Sequence, residues 1–401
     1  MHIGFVNFNT DEKKRVAELM QRLKEQEAVE ELGIGRVRDH FSNTLFPGTS
    51  TLQHHAKYFV VLPWIYYNAI TGEKRFKNRQ EVNRYIREQE IMLTISLDEG
   101  NLGGTGITGK EKLAAAKTDY TKYVKYNPTY LYSSGMCKYG IVSDTNIELL
   151  IQKLNEAHHN ERTEDSEDRK GHSDDIATCG EDYELGPGKK LSLALTKNEA
   201  EFLKGKILGL KGNSMLEKLI ESGLPMPENY FDAGGFIQNH QEIQKIYNYS
   251  VLFSRLIHLL DWRYNYVYYS SFHTMDQNAG FDEKAKECDN RYEELRQTYI
   301  DNTEEAQRNY KDLFGYIEDI DGTLTKFCRE CYDAILKNTP DSKAQIDRLI
   351  KEREAGIKRK RSKIGNPAYK NKGRGAPQPN TYRWATVKDI VTEIAEAQSK
   401  E

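Results

Sequence analysis

Five cysteines in 401 residues, an odd and mostly scattered set, are too few for a disulfide framework and fit a reducing cytosol. No stretch reaches the roughly 18 uncharged apolar residues of a membrane span, so no membrane association is expected. The opening Met1-His2-Ile3-Gly4-Phe5 lacks a basic region ahead of an apolar core. No signal peptide is therefore read, and a cytoplasmic location is expected. Apolar residues are sparse at 38%, and adding the 29 glycines gives only roughly 45%, the low edge for a globular chain. Net charge is small as well: 58 basic against 61 acidic residues leave −3, which excludes a wholly basic nucleic-acid binder but not a local basic patch. The HExxH, GxSxG and catalytic Cys/His patterns are missing.

What is present speaks for helices. Charged residues make up 30%, which suits long helices with solvated faces, and the length predicts two or three domains. Tyr58 to Tyr67 is the most apolar segment of the N-terminal part and reads as a core helix bent at Pro63. Thr196 and Glu199 form a capping box ahead of a helix to Leu208. Ile243, Ile246, Ser250, Phe253, Ile257, Leu260, Tyr264 and Val267 alternate at spacings of three and four. Ala285, Cys288, Tyr292, Leu295 and Tyr299 repeat that spacing after Gly280, which predicts a helical hairpin. The expected fold is mainly α, a multi-helix bundle with at most a few short strands. Gly140, lying between two helices, suggests a winged-helix-like element in the N-terminal part.

Four regions are expected: a mostly helical domain over 1–156, an acidic disordered loop over 157–189, a helical domain over 190–350, and a basic segment with a terminal helix over 351–401. The loop rests on ten Asp/Glu against three Lys/Arg between Ala157 and Leu185, a composition that cannot offset its ordering entropy. The basic segment rests on ten Lys/Arg against two acids between Lys351 and Arg374.

Three strings resemble chemical motifs. Gly104 to Lys110 matches the first seven positions of a P-loop, with Gly104, Gly109 and Lys110 as the nucleotide-binding candidates. It follows a strand-like run, Ile91 to Leu97. The eighth position is Glu111, where magnesium needs a hydroxyl, so a flexible loop is the simpler reading. Asp319-Ile320-Asp321-Gly322-Thr323 is spelled like the nucleophile motif of haloacid-dehalogenase-like phosphatases. Only 76 residues follow Thr325, too few for the α/β domain that chemistry requires, so a helix junction capped by Asp321 or Thr323 is preferred. Cys328 and Cys331 form a lone C-x-x-C, and His158, His159, His172 and Cys179 match no recognised metal site. No cofactor and no metal are expected.

The run Glu31-Leu32-Gly33-Ile34-Gly35, then Arg36 to Asp39, Phe41-Ser42 and Leu45-Phe46-Pro47-Gly48-Thr49-Ser50-Thr51-Leu52-Gln53 has a wider likeness. With Lys57-Tyr58-Phe59 and Leu62 to Tyr66 it resembles the start of a bacterial family of unknown function. The resemblance continues to Tyr382-Arg383-Trp384. It implies a setting among phage-defence and DNA-modification genes, but no reaction. The expectation is a non-enzymatic component of an anti-phage or DNA-processing system, binding nucleic acid, a nuclease or helicase partner, or both. Lys358, Arg359, Lys360, Arg361 and Lys363 are the candidate nucleic-acid contacts. The competing expectation is a nucleotide-binding enzyme built on loop 104–110, or a phosphatase-like enzyme using Asp319 and Asp321.

Overall fold

The computed structural model describes residues 30–161, 175–223, 225–276, 280–370 and 372–399. In the sequence an opening apolar run spans Ile3 to Phe8, and Thr10 ahead of Asp11 and Glu12 predicts a helix start; both lie outside the described residues. The described residues are helical, and the only strand-like pairing among them is one antiparallel bridge, Val142 to Ile176. The mainly α architecture is the one the periodicities predict. The helices on either side of Gly140, Pro128–Lys138 and Ile147–Glu161, are present, but among the described residues no strand pair accompanies them as a wing.

The chain divides into two compact units, neither contiguous in sequence. The first is built from residues 30–41 and Lys245–Tyr382. Its axis is the helix Gln241–His273, from Lys245 onward. Phe253, Leu256, Leu260, Tyr264, Tyr268 and Phe272 are buried along it, so its aromatic residues are core rather than an open platform. The expected hairpin forms with Phe281–Tyr299, where Leu259 packs on Tyr292 and Leu295. Arg263, 3% exposed, pairs at 2.5 Å with Asp289 and with Asp347, tying that hairpin to the helix Pro340–Lys358. The helices Glu304–Glu318 and Gly322–Lys337 meet through Tyr310 and Tyr332, whose rings stack 4.0 Å apart.

The second unit comprises the described residues of 42–244 together with 383–399. Its centre is the helix Tyr58–Thr71, buried at Tyr58 through Pro63, Ile65, Tyr66, Ala69 and Ile70. An almost uninterrupted apolar run forms such a helix when most of its surface meets protein, and only Tyr67 of it is exposed. The helices Arg79–Gly100, Pro128–Lys138, Ile147–Glu161 and Lys197–Leu208 surround it. Thr196 closes the expected capping box with Glu199, and Ser214 with Glu217 closes another.

Ile91 to Leu97, read as strand-like, lies in the middle of the helix Arg79–Gly100, which Asn78 caps by accepting from Glu81 N at 3.0 Å. A short apolar run looks the same in a doubly buried helix and in a strand, and only the flanking cap distinguishes them. The acidic stretch also differs from its expectation. Residues 162–174 lie outside the described ones, but Ile176 and Tyr183 are buried, and Tyr183 is anchored to Glu199.

Candidate nucleic-acid interface

The basic run begins where the helix Pro340–Lys358 ends. Its C-cap, Arg359, has φ +50°, in the left-handed half of backbone space that a side chain other than glycine's seldom occupies. The chain then makes one tight turn through Arg361 and returns toward the helix it has just left. Glu354, fully buried, fixes that return. Its carboxylate accepts from the hydroxyls of Tyr264 at 2.6 Å and Ser362 at 2.7 Å, and from the amides of Lys363 at 2.7 Å and Ile364 at 3.2 Å. Four donors replace the water that burial removed, which is what a buried carboxylate requires.

A second carboxylate gathers the lysines. Glu31 Oε1 lies 3.2 Å from Lys358 Nζ, 2.5 Å from Lys363 Nζ and 3.1 Å from an Arg374 nitrogen. Burial alone would raise the Glu31 pKa, but Arg374, Lys363 and Lys358 together hold it down to about 2. Arg374 also bonds Asn265 and lies over the Tyr264 ring, 4.5 Å from its centroid. Arg353 Nε donates to the Leu32 carbonyl at 2.8 Å, and Lys370 pairs with Asp276 at 2.7 Å.

The ten basic residues of this segment therefore divide evenly. Arg353, Lys358, Lys363, Lys370 and Arg374 hold the fold, while Lys351, Arg359, Lys360, Arg361 and Lys372 are exposed. Of the five candidate contacts, Arg359, Lys360 and Arg361 face solvent. Lys358, 5% exposed, and Lys363 face Glu31.

Downstream, residues 373–381 have neither helix nor strand, and the long helix supplies their hydrogen bonds. Ser254 Oγ donates to the Asn380 carbonyl at 2.9 Å, and His258 Nε2 lies 3.1 Å from that of Pro377. Asn265 Nδ2 donates to the Gly375 carbonyl at 3.2 Å, and Tyr382 OH to that of Ser250 at 2.7 Å. Polar side chains spaced along one helical face thus bind an extended strap, and the strap carries Arg374 to Glu31.

Gly109, at φ +85°, stands where a Cβ would come within 2.4 Å of the Tyr123 ring, and one on Gly106 would come within 2.9 Å of His54 and His55. These glycines serve close packing. Lys110 Nζ lies 2.7 Å from Asp98, and the loop follows a helix where a P-loop follows a strand. Gly104 accepts from Lys110 at 3.4 Å through its carbonyl. Asp321 caps the helix Gly322–Lys337 through Leu324 N at 3.0 Å, as the junction reading expects, while Asp319 ends the preceding helix. Cys328 and Cys331 are fully buried on one face, and burial pushes the Cys328 thiol up to about 12. His158 and His159 lie on the helix Ile147–Glu161, Cys179 contacts the Tyr183 hydroxyl at 3.4 Å, and His172 lies outside the described residues.

Glu31 and Glu354 organise this site, and neither stands out in the sequence. Glu31 is more than three hundred residues from its partners, so no spacing rule reaches it. Glu354 offered one local signal, an acid inside a basic run. A mainly helical scaffold that presents a clamped basic turn is the class of protein these observations define. The chain belongs to a family of unknown function, DUF6361, whose model matches residues 1–398. No curated protein and no solved structure matches it.

Proposed function

We propose that the chain is a non-enzymatic, nucleic-acid-binding component of a bacterial antiviral or DNA-processing system, acting beside a nuclease or helicase partner. The observation that carries this reading is the Arg359-Lys360-Arg361 turn. Three consecutive cations are exposed there, and the chain on both sides of them is held by Glu31 and Glu354. A clamped turn presents its charges to a phosphate backbone at little ordering cost. Contacts of this kind position a protein on nucleic acid without reading bases. The antiviral setting comes from the resemblance of the Glu31 to Gln53 block, not from the geometry.

The test is duplex DNA binding followed by fluorescence anisotropy across a salt series. Replacing Arg359, Lys360 and Arg361 together by Ala should weaken binding several-fold at low salt. It should also reduce the slope of log affinity against log salt by up to about 2.7, three phosphate contacts' worth. A wild-type protein that leaves DNA and RNA unbound at low ionic strength would sink the reading and turn the basic turn into a protein-docking surface. Co-purification from the native operon identifies the partner.

A further inference from the structure

A second surface lies in the other unit, beside the glycine loop of residues 104–110. Between Lys117 and Tyr130 the sequence interleaves lysines and tyrosines: Lys117, Tyr120, Lys122, Tyr123, Lys125, Tyr126, Tyr130. The fold separates these tyrosines into two kinds. Tyr123 is buried, its hydroxyl 2.7 Å from that of Thr94, and Tyr120 lies beneath the Arg84 guanidinium. Tyr126 and Tyr130 are 40% and 37% exposed, and their rings pair at 5.1 Å. Few large hydrophobic side chains of the described residues are that exposed, and Leu52, 50% exposed, lines the same cleft as Tyr126.

The two rings are held in place from below. Glu90, fully buried, accepts from Asn127 Nδ2 and from Thr129 N, each at 2.6 Å. Asn127 in turn caps the helix Pro128–Lys138 by accepting from Tyr130 N at 3.3 Å. The backbone between the rings is thereby pinned to the core. Beside Tyr126 lies an open cleft of about 550 Å³, walled by Leu52, Gly109, Lys112, Tyr123 and Lys125, with Glu111 as its one acid. Lys112 and Lys125 line it and are exposed, and Lys125 lies over the Tyr126 ring at 5.4 Å.

We propose that this surface binds single-stranded nucleic acid. Unpaired bases stack on Tyr126 and Tyr130 and enter the cleft, and the surrounding lysines take the phosphates. Exposed aromatic faces between cations suit unpaired bases, because a duplex buries its base faces in its own stack. An acidic peptide would use the lysines but would gain nothing from two pinned ring faces. The proposal deepens the nucleic-acid reading above, yet it depends on different residues.

The experiment compares a fluorescent oligo-dT with a duplex of the same length on the full chain. The double variant Tyr126→Ala/Tyr130→Ala should bind oligo-dT about tenfold or more weakly, at nearly unchanged salt dependence. Tyr126→Phe/Tyr130→Phe should bind as wild type does, which excludes loss of folding as the cause. Replacing Lys112 and Lys125 by Ser should lower both affinity and salt slope. Wild-type affinity from the alanine variant overturns the proposal. So does competition by poly-glutamate as effective as that by unlabelled oligo-dT. Duplex binding without oligo-dT binding removes this surface and leaves the Arg359 to Arg361 reading intact. Oligo-dT binding that is sensitive to Tyr126 but not to Arg359, Lys360 and Arg361 does the reverse.

Discussion

Lys358 Nζ lies 3.2 Å from Glu31 Oε1, an ion pair between residues 327 positions apart, with the lysine side chain only 3% exposed. Lys363 and Arg374 share the same carboxylate, so one acid anchors the basic segment.

Glu31→Gln should therefore strand three partly buried cations and destabilise the protein by about 3 kcal/mol at pH 7. Because the Glu31 pKa is lowered to about 2 from 4.5, its contribution is present above pH 4.5 and is lost as pH falls toward 2. Urea denaturation between pH 2 and pH 7 checks both points. A variant that keeps the full wild-type acid dependence would contradict the assignment.

Neighbours in the basic run should separate by role. Lys358→Ala should cost about 2 kcal/mol, the worth of a hydrogen bond to a charged group. Lys360→Ala should leave the denaturation midpoint in place and reduce nucleic-acid affinity instead. Equal stability effects from the two would mean that the turn is not divided in this way.

The second unit holds a comparable buried pair. Lys57 Nζ donates to both oxygens of Glu199 at 2.6 and 2.7 Å, and Tyr183 OH adds a bond at 2.6 Å. Glu199→Ala should cost about 3–5 kcal/mol, since it leaves a buried ammonium without its partner. Adding Lys57→Met to that variant should recover part of the loss. A strictly additive double mutant, measured by chemical denaturation, would show that the two residues are not coupled.

His55 joins the glycine loop to the helix Trp384–Ser399. Nε2 donates to the Thr105 carbonyl at 2.8 Å, and Nδ1 lies 2.7 Å from Glu393 Oε1. Burial pulls the His55 pKa down, but the bonds to Glu393 and Thr105 outweigh it and the net shift is upward from 6.5. A raised pKa means the folded state binds the proton more tightly. This stabilisation is complete below about pH 6.5 and is lost as pH rises through the raised value. The melting temperature of wild type should decline across that window, and His55→Gln should remove that part of the decline.

Gly109→Ala should destabilise by at least about 1 kcal/mol, through both its positive φ and the Tyr123 ring. Lys110→Ala removes a half-exposed pair with Asp98 and should cost about 0–1 kcal/mol. Neither ATP nor GTP with magnesium should raise the wild-type melting temperature. A nucleotide-dependent rise abolished by Lys110→Ala would restore the nucleotide-binding alternative.

Local rules carried the sequence a long way. Thr196 with Glu199, Asp321 ahead of Leu324, and the alternating stripe from Ile243 to Val267 were all legible, because caps and helical periodicity depend on neighbours within a turn or two. Burial on every side was not legible. Ile91 to Leu97 looked like a strand because a helix enclosed by protein has no polar face to mark its period. The fate of individual charges was hidden for another reason. Five basic residues of one segment became structural only because Glu31, Asp276 and the carbonyl of Leu32 reach them from distant parts of the chain. Composition by itself determined that this protein would be helical and would carry a basic pole. The tertiary structure decided which cations remain exposed, since pairing across hundreds of residues is set by packing and leaves no periodic trace.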